Sequence, residues 1–289
     1  MTFEQFIASA WEDHAQQPRA VAERLAASLD RVDDVARVAP FAQLVVHVFG
    51  EHLGQWQRGI DLLEALRAAA GEADPAAHAA LGRGIAVLRH AGGADAATLD
   101  ALDVEDRIRV LATASSACVA QDETERAIAA YADALALAAP GLPAQSPALG
   151  ALAVGGNNLA AALEEKPQRS TAETAAMVDA ATSALKYWRL AGTWLEEERA
   201  EYRLARSLLQ AGRGEQAQAA ARRCVEICER HAAPPFERFF AHAVLALGLR
   251  AGGDMAAAED ARTEALRQHA LVAPDEQAWC AAELKELGE

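Results

Sequence analysis

Two cysteines on one predicted helix are the residues of this chain best spaced to hold a metal ion. Cys224 and Cys228 lie four positions apart, which places both thiols on the same side of an α-helix. His231 is the nearest candidate for a third ligand, but no second pair of Cys or His with similar spacing accompanies it. The alternative is that both cysteines pack against a neighbouring helix, because free cysteine behaves as a small apolar residue. We favour this packing interpretation, and expect no metal site and no cofactor.

Residues and motifs typical of enzymes are otherwise sparse. The eight histidines are scattered along the chain, and His47 and His52, five positions apart, are not expected to share one face of an α-helix. The sequence contains no HExxH, no GxSxG and no phosphate-binding loop, and Gly82-Arg83-Gly84 follows no predicted strand. We therefore predict that the protein is not an enzyme, and keep a helical enzyme without a recognisable motif as the last alternative.

Composition and charge restrict the class of partner. The formal net charge is −15, so nucleic acids and anionic membranes would repel the chain as a whole. Neither a signal peptide nor an uncharged apolar stretch of about 18 residues is present, which leads us to expect a cytoplasmic protein. Hydrophobic residues make up 52% of the chain but aromatic residues only 5%. Alanine and leucine must therefore fill most of the core, as in closely packed helices.

Helical periodicity covers almost the whole chain, and proline and glycine divide it into segments. Ser170 and Glu173 form the pattern of a capping box at the start of one segment. Residues 44–49 alone have a strand-like composition, and we interpret them as part of a buried helix. The predicted helices cover residues 3–15, 18–32, 40–52, 55–70, 75–92, 104–120, 125–138, 147–165, 171–190, 193–211, 215–231, 235–251, 254–271 and 274–287.

A repeated pattern joins these helices into pairs. Similar stretches begin at Leu204 and Leu245, and short glycine-containing turns join adjacent helices, which makes the neighbours antiparallel. In each stretch a large apolar residue precedes a small one, a glycine follows at the turn, and two small residues seven positions apart occupy the second helix. The matching residues are Leu204, Ala205, Gly212, Ala217 and Cys224 in one pair, Leu245, Ala246, Gly253, Ala258 and Ala265 in the next, and Ala127, Tyr131 and Ala134 in an earlier one.

This pattern resembles the tetratricopeptide repeat. The resemblance is good over residues 104–271 and partial before them, and Asn157-Asn158-Leu159-Ala160 is similar to a motif of the longer repeats in kinesin light chains and bacterial peptide-sensing regulators. It implies an all-α, right-handed superhelical solenoid of antiparallel helix pairs. We expect divergent repeats over residues 1–103, clear pairs over 104–273, and a capping helix over 274–289, within one continuous solenoid.

The resemblance also implies a binding site. In these repeats the first helices of the pairs line a concave groove, where asparagines hold the backbone of a bound peptide and basic residues hold its carboxylates. Arginine suits the second task because its guanidinium group binds a carboxylate through two hydrogen bonds. The alternative is that Glu164 and Glu165 neutralise Arg206 within the chain. The candidate peptide-binding residues are Asn157, Asn158, Arg199, Tyr202, Arg203, Arg206, Phe240 and Arg250.

The function expected from this fold is partner recognition. A protein or peptide with an acidic segment is the predicted partner, with no role for nucleic acid or membrane, and association between copies of the chain is left open. The first alternative is a regulatory sensor that binds a small molecule or a short signalling peptide in a cavity near Asn157, Tyr202 and Phe240. Both interpretations rest on analogy of fold.

Overall fold

The protein is helical throughout the part that the structure describes. The computed structural model describes residues 1–70, 74–94 and 96–288, and within these ranges no strand occurs. The all-α prediction is thus confirmed. The helices are α1 Phe3–Asp13, α2 Pro18–Ala26, α3 Val35–Val45, α4 Trp56–Ala70, α5 Pro75–Ala91, α6 Val104–Ala120, α7 Thr124–Ala138, α8 Pro147–Glu165, α9 Thr171–Ala191, α10 Trp194–Gln210, α11 Gly214–Arg230, α12 Pro235–Ala251, α13 Met255–His269 and α14 Ala281–Leu287.

Side-chain caps and glycine turns set the limits of many helices. The predicted capping box of Ser170 and Glu173 opens α9, and Thr193 with Glu196 forms a second one at the start of α10. Gly212 and Gly253 close the turns after α10 and α12 with φ angles of +70° and +84°. Only glycine adopts this left-handed conformation without steric cost, so these residues allow the chain to reverse between paired helices.

Three predicted helix boundaries are wrong, and one of them is the end of the helix predicted over residues 18–32, which stops at Ala26. The helix predicted to begin at Pro40 begins at Val35, because the Asp34 side chain accepts a hydrogen bond from the Ala36 amide and caps it. Pro40 is therefore inside α3. The helix predicted over residues 274–287 is also shorter, since a 3-10 turn over Gln277–Cys280 precedes α14.

A π-helical segment, Val46–His52, follows α3 directly and ends before Gly54. The strand-like residues 44–49 are thus helical, as predicted, but the geometry of this segment differs from that of an α-helix. A π-helix closes its hydrogen bonds from residue i to i+5 and holds more residues per turn. Consequently His47 and His52 lie side by side, with their ring centroids 4.7 Å apart. The expectation that they do not share a face is wrong, because it assumed an α-helical repeat.

The chain divides into two compact units, Met1–Gly155 and Gly156–Glu289, with the boundary inside α8. This division is based on packing. It differs from the boundaries after residues 103 and 273, which were predicted from the repeat pattern in the sequence. In the first unit, α4 packs on α5 and α6 on α7; in the second, each helix from α9 to α13 packs on the next. Among the described residues, no helix is both long and apolar enough to cross a membrane.

The small residues of the repeat are buried, as the pattern requires. Ala217 and Ala258 are 1% and 6% exposed, and Ala127 and Ala134 are fully buried in α7. A close approach is also visible at Gly248, where an added Cβ atom would lie 3.2 Å from the Cα atom of Gln218. Small side chains therefore let the backbones of consecutive helices approach closely, and the resulting helix pairs position the residues of the candidate site.

Candidate functional site: a basic face on the second unit

One side of α10 presents the predicted basic residues. Arg199, Tyr202, Arg203 and Arg206 follow one another at steps of three, one and three positions, and all four make a polar contact with a carboxylate of the second unit. We call these residues, together with Asn157, Asn158, Phe240 and Arg250, the basic face.

Arg203 binds a buried carboxylate of α8. Its Nη1 atom lies 2.6 Å from Oε2 of Glu164, and the Ser207 hydroxyl donates to the other carboxylate oxygen, Oε1, at 2.6 Å. The Glu164 side chain is only 5% exposed. Burial raises the pKa of Glu164, while the adjacent Arg203 partly opposes that rise. Glu164 is thus hydrogen-bonded to Arg203, whereas the alternative interpretation expected Glu164 and Glu165 to neutralise Arg206.

Arg206 and Tyr202 instead contact the last helix. Arg206 donates two hydrogen bonds to the Glu286 carboxylate, of 2.7 and 2.8 Å, and the Tyr202 hydroxyl donates to Glu283. Arg250 of α12 donates to the backbone carbonyl of Glu286 at 3.1 Å. Burial raises the pKa of Tyr202 well above its usual value, and the Glu283 charge adds to this. The chain thus places its own acidic C-terminal helix on the basic face.

Arg199 is paired as well, but it remains accessible. Its guanidinium group binds the Glu237 carboxylate of α12 through Nη2 at 2.5 Å and Nε at 3.3 Å. The Glu237 side chain is 7% exposed, whereas 57% of the Arg199 side chain is exposed. The hydrogen bond with Glu237 raises the pKa of Arg199. A second anion could therefore approach Arg199 from solvent without displacing Glu237.

The remaining members of the basic face are apolar or amide side chains. The rings of Tyr202 and Phe240 pack edge to face with their centroids 5.6 Å apart, and Phe240 also contacts Phe236 and Phe239. Asn157 and Asn158 are half-buried on α8. The structure therefore brings Tyr202 and Phe240 into contact, and places Arg199, Arg203 and Arg206 on α10 and Arg250 on α12.

The sequence interpretation missed the two glutamates of α14. Glu283 and Glu286 follow Tyr202 and Arg206 by 81 and 80 positions, and such a distance hides a contact from any local pattern. The one available signal was their own spacing, since residues three apart share a helix face. That α14 is only seven residues long made this signal weak.

The cysteine pair is buried and its thiols face a carboxylate. Cys224 and Cys228 are 0% and 2% exposed, and the Cys224 thiol donates to Oε1 of Glu198 at 2.9 Å. Burial, and then the Glu198 charge, raise the pKa of both thiols. The His231 ring stacks on Trp194 with centroids 5.0 Å apart. Both cysteines belong to an apolar cluster with Ala233 and Ala241, as the packing interpretation expects.

Comparison with known proteins supports the fold and gives no family assignment. No family model matches the sequence, and no curated protein matches it. BtubC (BKLC) from P. vanneervenii has a similar structure, with a TM-score of 0.51 and 19% identity over 93% of this chain and 92% of that one. The TPR-like repeats of a putative kinesin light chain from Podosopora anserina give a TM-score of 0.53 and 15% identity over 83% and 98% of the two chains.

A Q17M form of the Podosopora anserina repeats gives a TM-score of 0.52 and 14% identity, over 79% of this chain and 93% of that one. Identities this low establish similarity of fold alone. This similarity of fold is consistent with the helix pairs, the left-handed glycine turns and the buried small residues of this chain. On these combined grounds the chain has a tetratricopeptide-like helical repeat fold.

Proposed function

We propose that this protein is a binding scaffold whose basic face holds an acidic segment of a partner protein. The observation that supports this proposal is the docking of α14, in which Tyr202, Arg206 and Arg250 bind two carboxylate side chains and a backbone carbonyl. These are the donors that an acidic peptide would need. Hydrogen bonds to charged groups are stronger than neutral ones, and the guanidinium fork of Arg206 adds directional selectivity.

A partner segment would displace α14 from this face. A helix of seven residues is marginal on its own in water, so the docking contacts, and not helix propensity, hold α14 in place. Those contacts include the two glutamates, the backbone carbonyls of Glu286 and Leu287, and the buried Leu287 side chain, which is 5% exposed. A longer acidic segment could replace the same contacts and add others at Arg199. A scaffold of this kind needs no catalytic group, and we propose none.

A peptide with the sequence of residues 277–289 provides a direct probe of this face. The peptide should carry a fluorophore and Ser in place of Cys280. It should be titrated into a variant of the full chain that carries Glu283→Ala and Glu286→Ala, because these substitutions loosen the chain's own α14. We expect the variant to bind the peptide about tenfold more tightly than the unchanged chain does, which corresponds to about 1.4 kcal/mol. Binding should weaken as salt concentration rises, because exposed charges are screened.

Two matched controls make the result specific. A second peptide with Gln in place of both glutamates tests whether the carboxylates are needed. Adding Arg250→Gln to the loosened chain should weaken binding, whereas Arg222→Gln with Arg230→Gln, at exposed positions of α11, should leave it unchanged. Equal binding of the acidic and amide peptides would show that the basic face does not select carboxylates, and the proposal would then fail.

A further inference from the structure

Three histidines of the first unit converge at one point, away from the basic face. His14 directly follows α1, and His47 and His52 belong to the π-helical segment. The centroid of the His14 ring lies 4.9 Å from that of the His47 ring and 5.0 Å from that of the His52 ring. All three side chains are half-buried, so an ion could reach them from solvent. Among the described residues, this is the one cluster of three or more metal-binding side chains.

The ring nitrogens have nearly the spacing of metal ligands. The Nε2 atoms of His47 and His52 are 3.1 Å apart, and one ring nitrogen from each of the three histidines lies within 4.8 Å of the other two. In a tetrahedral zinc site, bonds of about 2.0–2.1 Å separate the ligand nitrogens by about 3.3 Å. The pair in the π-helical segment therefore already matches this spacing. His14 needs an approach of no more than about 1.5 Å, which side-chain rotation in the loop after α1 can supply.

Hydrogen bonds at the opposite side of two rings fix which nitrogen is available. Nδ1 of His47 lies 3.0 Å from the Glu51 carboxylate, and Nδ1 of His14 contacts the backbone carbonyl of Trp11. Both oxygens are acceptors, so the neutral tautomer that fits these contacts carries its proton on Nδ1 and leaves Nε2 available as a ligand atom. A carboxylate or carbonyl behind the ligating histidine is the usual arrangement in metal sites, where it orients the ring and increases its basicity.

The backbone that carries this cluster is held from a neighbouring helix. The Gln121 side chain, at the end of α6, donates to the Glu51 carbonyl at 2.6 Å. Gly54, with a φ of +58°, ends the segment beside the same glutamine. The π-helical turn places two residues that are five positions apart on one side of the helix. Such turns are rare in proteins, but those that occur are often found at functional sites. An α-helix over residues 46–52 would separate the two rings.

We propose that His14, His47 and His52 bind a zinc ion, with Glu51 orienting His47 and a water molecule in the fourth position. Three imidazoles suit a borderline metal such as zinc, whereas magnesium and calcium prefer oxygen ligands. A bound ion would join the end of α1 to the segment between α3 and α4. It would therefore stabilise the first unit, since it binds the folded chain and not the dispersed ligands of the unfolded one.

Metal titration of the full chain tests this proposal. Calorimetry with zinc chloride should show one ion bound per chain and a higher melting temperature in its presence. Cobalt(II) serves as a spectroscopic probe, because a tetrahedral site gives strong visible absorption. Trp11 supplies a second signal, since its ring lies 5.2 Å from that of His14 and 5.1 Å from that of His47. Cobalt at the cluster should quench its fluorescence.

Variants distinguish this site from other side chains that bind metals. His47→Gln with His52→Gln should abolish the zinc-dependent rise in melting temperature, and His14→Gln, which lies outside the helices, should weaken zinc binding at least roughly tenfold. Glu51→Gln keeps all three ligands and should weaken binding by about 10- to 100-fold, an effect that a merely stacked ring cluster would not show. His78→Gln, at an exposed position of α5, is the matched control.

Two results would overturn the proposal. One is zinc affinity that stays the same in the His14→Gln chain and in the doubly substituted chain, provided that circular dichroism shows both to be folded. The other is a thiolate charge-transfer band in the cobalt complex, which would place the ion on cysteine. Loss of zinc binding together with an unchanged His78→Gln control supports it.

Discussion

The Tyr202 hydroxyl donates a hydrogen bond to the Glu283 carboxylate, which joins the middle of α10 to a helix 81 positions later. Together with the Arg206–Glu286 ion pair, it makes α14 part of the surface that the repeat pattern predicts for a ligand. Arg206 is 14% exposed and Glu286 39% exposed. Three arginines of the basic face are therefore ion-paired within the chain, and the availability of this surface depends on how strongly α14 is held.

Replacing Glu286 by Ala should loosen α14 selectively. The change removes two hydrogen bonds to Arg206, but the partial exposure of Glu286 reduces their value to about 1 kcal/mol. Hydrogen exchange of the α14 amides should then become roughly fivefold faster, while the amides of α6 keep their rates. Lys285→Ala is the control, because Lys285 is exposed on the same helix. Equal effects of the two changes would mean that the ion pair does not hold α14.

The Glu164–Arg203 pair should behave as a single unit in a double-mutant cycle. Arg203→Gln leaves a carboxylate that is 5% exposed without its cation, which costs about 3 kcal/mol of unfolding free energy. Glu164→Gln with Arg203→Gln should cost less than Arg203→Gln alone, because no buried charge remains unpaired. Urea denaturation of the three variants measures this. If the losses of unfolding free energy in the two single variants sum to the loss in the double variant, Glu164 and Arg203 are not energetically coupled.

The sequence predicted most of the fold because the signals for it are local. Pro147, Gly212 and the Ser170–Glu173 capping box each mark a helix end that depends on a few neighbouring residues. The period of the α-helix, about 3.6 residues per turn, correctly placed Tyr202 and Arg206 on one side of α10. Local patterns failed at Pro40, which lies inside α3 and does not begin it, and in the π-helical segment, where the geometry departs from that of an α-helix.

The candidate sites depend on contacts between residues that are distant in sequence. His14 precedes His47 by 33 positions, and only the packing of the first unit brings their rings within 4.9 Å. The pairing of Arg206 with Glu286 spans 80 positions. Residue type and helical spacing select the candidate side chains, but the position of a distant partner follows from how the helices pack.

Small residues at the repeat positions should resist enlargement. Ala217→Asp puts a charge and extra volume where only 1% of the residue is exposed, so it should lower the unfolding free energy by several kcal/mol. Ala219→Asp, two positions later on the exposed side of α11, should cost less than about 1 kcal/mol. Thermal or urea unfolding compares the pair.

The equivalent pair in the next repeat is Ala258→Asp and its exposed neighbour Ala256→Asp in α13. The same difference is expected there, because Ala258 is 6% exposed. Similar stabilities for the buried and exposed substitutions in both helices would show that the assigned repeat register is incorrect.

Stability should fall as pH rises from 5 to 8 because of Glu198, which is 1% exposed. Burial raises the pKa of Glu198 to about 7, and the nearby Glu237 charge adds to the rise, whereas the thiols and Arg199 oppose it. The folded chain therefore holds a proton on Glu198 at pH values where the unfolded chain, with its ordinary pKa of 4.5, has released it. The stabilisation is complete below pH 4.5 and is lost as pH rises through about 7.

The expected size of this loss is at most about 3 kcal/mol, from the free energy that corresponds to each pKa unit. Urea denaturation at pH 5, 6, 7 and 8 measures it. Glu198→Gln removes the titrating group and keeps a similar shape, so its stability should depend less on pH than that of the unchanged chain. Glu226→Gln, at an exposed position of α11, should retain the full dependence. Parallel curves for the unchanged chain and Glu198→Gln would show that Glu198 is not the group responsible.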